Sequence, residues 1–143
     1  MKRKQRKEET LAYLFSGSVP SEITNVCALV SRLVDELRPR LQAECLGVLR
    51  LVLSELMINS CEHGNANDRK KGVFLDLAIT DDYIDIIVTD EGAGFSYDAG
   101  AYDPANLSCS GRGLKIVAGL CDALEVQNAR VHCRVRRGGA TRR

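Results

Sequence analysis

Tryptophan is absent from this chain, aromatic residues make up only 5% of it, and proline occurs three times in 143 residues. So few rings argue against a surface that stacks nucleobases, which needs aromatic side chains interleaved with basic ones. No apolar run approaches the roughly 20 residues of a transmembrane helix. The basic start MKRKQRKEET leads into no signal-like apolar segment, so a cytoplasmic protein without a membrane partner is expected. Any Cys-x-x-C pair is missing too. Cys27, Cys45, Cys61, Cys109, Cys121 and Cys133 are scattered, most of them at apolar positions, which predicts buried free thiols rather than a disulfide framework or a zinc site. A large net charge is also lacking: the total is +1 at pH 7, with Lys2, Arg3, Lys4, Arg6 and Lys7 crowding one end and Arg130, Arg134, Arg136, Arg137, Arg142 and Arg143 the other. A short terminal charge run is ordinarily a solvated end, so these tails do not by themselves argue for nucleic-acid binding.

What is present is a globular composition, 45% hydrophobic and 27% charged, at a length that supports one core and is too short for two. Residues 1–10 read as a basic tail, 11–137 as a single domain, and 138–143 as a disordered end. From Leu11 to Ser18 the alternation of Leu11, Tyr13 and Phe15 suits a strand that leads to the Pro20 break. Ser21 then has the character of an N-cap. Ile23, Val26, Cys27, Val30, Leu33, Val34 and Leu37 recur at helical spacing up to Pro39. A second helix runs from Leu41 to His63, very apolar around Leu46 to Leu53, with Gly64 placed as its stop.

The pattern then changes period. Val73, Leu75, Leu77 and Ile79 alternate with Phe74, Asp76, Ala78 and Thr80, Asp81-Asp82 supplies turn chemistry, and Tyr83 to Thr89 returns as a strand. Residues 96–110 are poor in large apolar side chains and read as a long functional loop. Gly111-Arg-Gly-Leu114 opens a third helix with Leu114, Val117, Leu120 and Cys121 on one face, and Leu124–Gln127 and Arg130–Val135 read as closing strands. Helices on one face of a mostly antiparallel sheet make a two-layer α+β sandwich.

Three stretches carry candidate chemistry. Glu55 and Asn59 lie four apart on the second helix and so share a face. Asp90-Glu-Gly92-Ala-Gly94 follows a strand, where glycines permit close approach of a flat ligand and a carboxylate can accept from an exocyclic amine. Gly111-x-Gly113 lies at a helix start, where backbone N–H groups can meet phosphate oxygens. Each is weak alone: the first reads equally as a solvated stripe, the second as a turn, the third as a hinge.

In this order, with the stretch Asp103-Pro-Ala-Asn-Leu107 leading into Gly111, the three motifs resemble the Bergerat-type ATP-binding fold of the GHKL group. Within that group the chain is most similar to the small bacterial anti-sigma factors that are also serine/threonine protein kinases, over about Leu11 to Val135. The resemblance implies ATP and Mg²⁺ as cofactors, with Asn59 as the Mg²⁺ ligand through its side-chain oxygen. It places Asp90 at the adenine amino group, Gly92 and Gly94 around the base, and Gly111, Arg112, Gly113 and Leu114 at the phosphates. Glu55 matches the family's general base. In sensor histidine kinases that position is usually Asn, and the larger ATPases of the gyrase and mismatch-repair type usually continue with Asp-Ala rather than His63-Gly64. His63 is therefore expected to be a structural residue of the helix end. One departure from many GHKL members is the strand Arg130–Val135, which has no Thr.

The resemblance thus implies a protein that sequesters a sigma factor and phosphorylates a serine or threonine on a STAS-type anti-anti-sigma antagonist. It also implies a homodimer that presents the region around Ser21 to Leu37 to its partners. A nucleotide-gated binding regulator without kinase activity remains the alternative.

Overall fold

In a computed structural model of the chain, residues 11–92 and 109–137 are described, 109–114 by their backbone path alone. The two tails, Gly94 and the stretch Asp103–Leu107 lie outside them. The elements are β1 (Leu11–Pro20), α1 (Ile23–Leu37), α2 (Ala43–Asn59), a π turn (Ser60–Gly64), β2 (Gly72–Thr80), β3 (Tyr83–Thr89), α3 (Cys109–Leu120), β4 (Ala123–Gln127) and β5 (Arg130–Arg136). The five strands form one antiparallel sheet in the order β1-β2-β3-β5-β4. This is the expected α+β architecture.

Period decides which residues face inward. α1 buries Val26, Leu29, Val30, Leu33, Val34 and Leu37, the stripe a 3.6-residue helix turns to one side. α2 buries Leu46, Leu49, Val52, Leu53, Leu56 and Met57. Against them stand Val73, Leu75, Leu77 and Ile79 of β2 and Ile84, Ile86 and Val88 of β3, none more than 2% exposed. The intervening strand residues point to the opposite face, where β2's Asp76, β3's Asp85 and β5's His132 and Arg134 lie on neighbouring strands. On that face Asp85 accepts from Arg134 Nε and an Arg134 terminal nitrogen, both at 3.0 Å, and pairs with His132 Nε2 at 2.9 Å. Burial pushes the Asp85 carboxyl up, but hydrogen bonds and charge from Arg134 and His132 outweigh it and hold the group below the usual carboxylate range.

Turn chemistry is partly as expected. Asp81-Asp82 makes the β2–β3 turn, yet the group that closes it is the Thr80 hydroxyl, which accepts from the Tyr83 N–H at 3.1 Å and the Asp82 N–H at 3.3 Å.

Several expectations need correction. Ser21 is not the N-cap: Glu22 occupies that position, and the Ser21 hydroxyl is turned inward to donate to the Lys71 carbonyl at 2.8 Å. Cys27 does not join the buried stripe but is exposed, and Leu29 takes its place in the core. Cys121 and Cys133 are not free thiols. They form a disulfide that ties the end of α3 to β5. Cys45 is half-buried, and Cys61 alone of the described free cysteines is fully buried; burial, helped by the charge of Glu62, pushes its thiol above the ordinary range. On α3, Val117 is buried whereas Leu120 is 37% exposed. The second helix neither starts at Leu41 nor ends in a simple glycine stop: it starts at Ala43 and widens after Asn59 into the π turn that ends on Gly64.

Candidate functional site

Everything near the predicted site depends on how α2 ends. Glu55 and Asn59 lie one turn apart at its C-terminus, Glu55 half-buried and Asn59 buried, so the pair is no solvated stripe. Apolar neighbours Leu56 and Met57 pack into the core and fix that orientation. Asn59 Oδ1 is enclosed and has no hydrogen-bond partner among the described residues. A buried, unpaired amide oxygen costs on the order of 1–3 kcal/mol, so this atom is an acceptor open to a water or a bound ligand. Glu55 makes no side-chain hydrogen bond or ion pair among the described residues either.

From Asn59 the π turn carries the chain to Gly64, and there it meets the end of β3. A Cβ on Gly64 would land on the Asp90 carboxylate, and a Cβ on Gly92 would land on the Gly64 carbonyl. Glycine is required at both places because two backbones and a carboxylate meet without room for a methyl group. Asp90 is 6% exposed. Its N–H donates to the Ala129 carbonyl at 3.0 Å and its Oδ1 accepts the Gly92 N–H at 2.9 Å. Thus Asn59 immediately precedes the π turn, and the Asp90 carboxylate packs against its last residue, Gly64.

Sequence reasoning missed what holds the next residue. Asn65, 1% exposed, accepts the Glu91 N–H at 2.8 Å, and the Glu91 carboxylate in turn accepts the Gly72 N–H at 2.7 Å. The only signal was an Asn after a glycine, which any turn could carry. His63 is about half exposed, with Glu62 at 4.0 Å.

The phosphate motif is placed less sharply. α3 begins at Cys109, two residues ahead of Gly111. Gly111 and Arg112 therefore fall in the first turn, where backbone N–H groups lack intrahelical acceptors, and Gly113 lies just beyond it. The side chains of Gly111–Leu114 and the whole of Gly94 are outside the described residues. Thr89 pairs with Arg130 across β3 and β5, at the strand end that leads into Asp90.

A separate cavity of about 270 Å³, lined by Arg40, Leu41, Gln42, Cys45, Asp81 and Arg137, sits at the other end of α2. It is about 25 Å along the helix from Asn59 and contains none of the predicted site residues. No described helix is long and apolar enough to cross a membrane.

The chain is similar to known proteins. The family model for the histidine kinase-like ATPase domain matches residues 19–137. The anti-sigma F factor of Oceanobacillus iheyensis is 30% identical over 129 residues, 87% of this chain and 85% of that protein. The serine-protein kinase RsbW of Bacillus subtilis is 32% identical over 89 residues, 56% of each chain, so the match spans little more than half of that relative. Among solved structures, the histidine kinase domain of the Erythrobacter litoralis EL346 blue-light activated histidine kinase aligns with a TM-score of 0.47 at 17% identity, over 78% of this chain and 60% of that one. The chain belongs to the histidine kinase-like ATPase domain family, the GHKL group, and within it to the anti-sigma factor serine kinases.

Proposed function

We propose that this protein binds Mg-ATP against the C-terminal end of α2, the Asp90 turn and the start of α3, and transfers the γ-phosphoryl group to a serine or threonine of a STAS-type antagonist. In the same reading it sequesters a sigma factor, acts as a homodimer in the cytoplasm, and trades one partner for the other. The observation that carries this is the orphaned Asn59 Oδ1, one turn from Glu55 and followed by the π turn whose last residue packs against Asp90.

The donor set fits Mg²⁺. A carboxamide oxygen is the hard ligand this ion prefers, and one or two protein ligands suffice when phosphate oxygens and water complete the octahedron. Among the described residues no three His, Cys, Asp or Glu side chains gather to hold a metal on their own, so an ion here would depend on the nucleotide. When bound it would offset charge that develops on the transferring phosphoryl group.

The chain's own residues supply the rest. Asp90 accepts the adenine amino group from a position that Gly64, Ala129 and Gly92 determine. First-turn N–H groups of α3 are directed to the phosphates. Glu55 takes the proton of the attacking hydroxyl as its oxygen bonds to the γ-phosphorus and the bond to the β–γ bridging oxygen breaks, releasing ADP. The relatives named as a serine-protein kinase and an anti-sigma factor support the activity and the partner class.

The test is phosphotransfer from labelled ATP, with Mg²⁺, to a serine-bearing STAS protein. Acid-stable phosphoserine is the expected product. Tight ATP binding with no transfer to any such protein would leave a nucleotide-gated binding regulator instead.

A further inference from the structure

Next to the site stands a buried side chain that no nucleotide contact has yet claimed. Asn65 uses both amide hydrogens and its carbonyl oxygen: Nδ2 donates to Ser21 Oγ at 2.8 Å and to the Gly72 carbonyl at 2.9 Å, while Oδ1 accepts the Glu91 N–H at 2.8 Å. The amide can face only this way, because the Gly72 carbonyl can only accept and the Glu91 N–H can only donate. Three segments far apart in sequence, at Ser21, Gly72 and Glu91, therefore meet on one planar group.

The network closes on itself. Gly72 receives Asn65 at its carbonyl and gives its N–H to the Glu91 carboxylate, so Glu91 is gripped at backbone and side chain alike. The Lys71 carbonyl accepts from both the N–H and the hydroxyl of Ser21, at 3.1 and 2.8 Å, which anchors the far side. Asp90 lies between two backbone anchors: its own N–H is held by Ala129, and the following N–H by Asn65. A carboxylate flanked in this way has little freedom to swing.

We propose that Asn65 is a positioning residue for adenine recognition, holding the Glu91 N–H so that the Asp90 carboxylate points at the exocyclic amine. This rests on the reading of Asp90 as the adenine acceptor. Asn65 itself does not touch the base. Its loss frees the peptide after Asp90 and leaves the Glu91 N–H without its acceptor, so recognition of the amine suffers more than the binding of the phosphates.

The test compares ATP with inosine triphosphate, which lacks the amine, by calorimetry well below the melting temperature. The parent should prefer ATP. Asn65→Ala should lower ATP affinity about tenfold, the size of one hydrogen bond to a charged group, and leave inosine triphosphate nearly unchanged. A residue of purely structural importance would weaken both nucleotides alike, and that outcome overturns the proposal. Asp90→Asn serves as the reference. If it leaves the preference intact, the adenine reading fails and this inference with it; if it contracts the preference while Asn65→Ala does not, only the role of Asn65 fails. Should Asn65→Ala not fold, Glu91→Ala removes the second grip through an exposed side chain. It should contract the preference several-fold, and an unchanged ratio would count against the proposal equally.

Discussion

The two ends of the candidate site are built on opposite plans. At the proposed adenine end the backbone around Asp90 is held: the Asp90 and Glu91 amides donate to Ala129 and Asn65, and one carboxylate oxygen receives the Gly92 N–H. At the proposed metal end neither the buried Asn59 Oδ1 nor the Glu55 carboxylate has a partner among the described residues. The contrast teaches a division of labour. On the proposed reading a base would meet a rigid acceptor that costs little to organise at the moment of binding, whereas the metal and the reacting hydroxyl would complete groups that folding left unsatisfied.

The largest effect should come from the reactive end. Glu55→Gln keeps the shape of the helix and removes the proton acceptor, so phosphotransfer should fall by roughly 10²–10⁴-fold while ATP affinity stays level. Single-turnover transfer beside calorimetry measures both, and undiminished transfer would take the base role away from Glu55.

At the adenine end, Gly64→Ala forces a methyl group into the Asp90 carboxylate. Overpacking of this kind costs about 1–3 kcal/mol, and here it should appear as weaker ATP binding as well as a lower Tm. Normal nucleotide affinity in a folded Gly64→Ala protein would show that Asp90 can move freely, and the rigid half of the comparison would break.

Reduction of the Cys121–Cys133 bridge tests whether α3 must be tied down for the phosphate end to form. For a loop of 12 residues the stabilisation is on the order of 2–3 kcal/mol. Thermal melts with and without reductant should differ accordingly. Identical melts would mean the bridge contributes nothing.

The smallest effect belongs to a cluster on the opposite face of the sheet. Asp85→Asn should cost about 1–2 kcal/mol with ATP affinity untouched. The folded carboxyl titrates below its unfolded value, so its contribution is present above the ordinary carboxylate range and is lost as pH falls through the lowered value. Urea melts from neutral to acid pH should therefore show parent and variant converging as the solution is acidified.

Much of this was legible in one dimension because period is a one-dimensional property. The α1 stripe from Val26 to Leu37 and the alternation from Val73 to Ile79 determine which faces are buried, and with them the layers. Glu55, Asn59 and Asp90 were legible as residue types in order. What escaped depends on contacts between distant segments. Ser21 has an N-cap's chemistry, yet Lys71, 50 residues away, takes its hydroxyl. Cys121 and Cys133 lack a recognisable spacing, and it is the β4–β5 pairing, with Leu124 opposite Cys133 and the Asp122 N–H on the Arg134 carbonyl, that brings them together. Gly64 reads as a helix stop from its position alone; that it makes room for a carboxylate on β3's far end is a fact of tertiary structure. Asn65 was hidden for the same reason.

The most direct measurement of the central claim is ATP affinity with and without Mg²⁺, for the parent and for Asn59→Ala. Binding by the parent should strengthen markedly when Mg²⁺ is added, and in the variant that gain should collapse while metal-free binding, carried by Asp90, persists. An equal Mg²⁺ gain in both proteins would contradict the account, because the buried oxygen of Asn59 would then have no metal to hold.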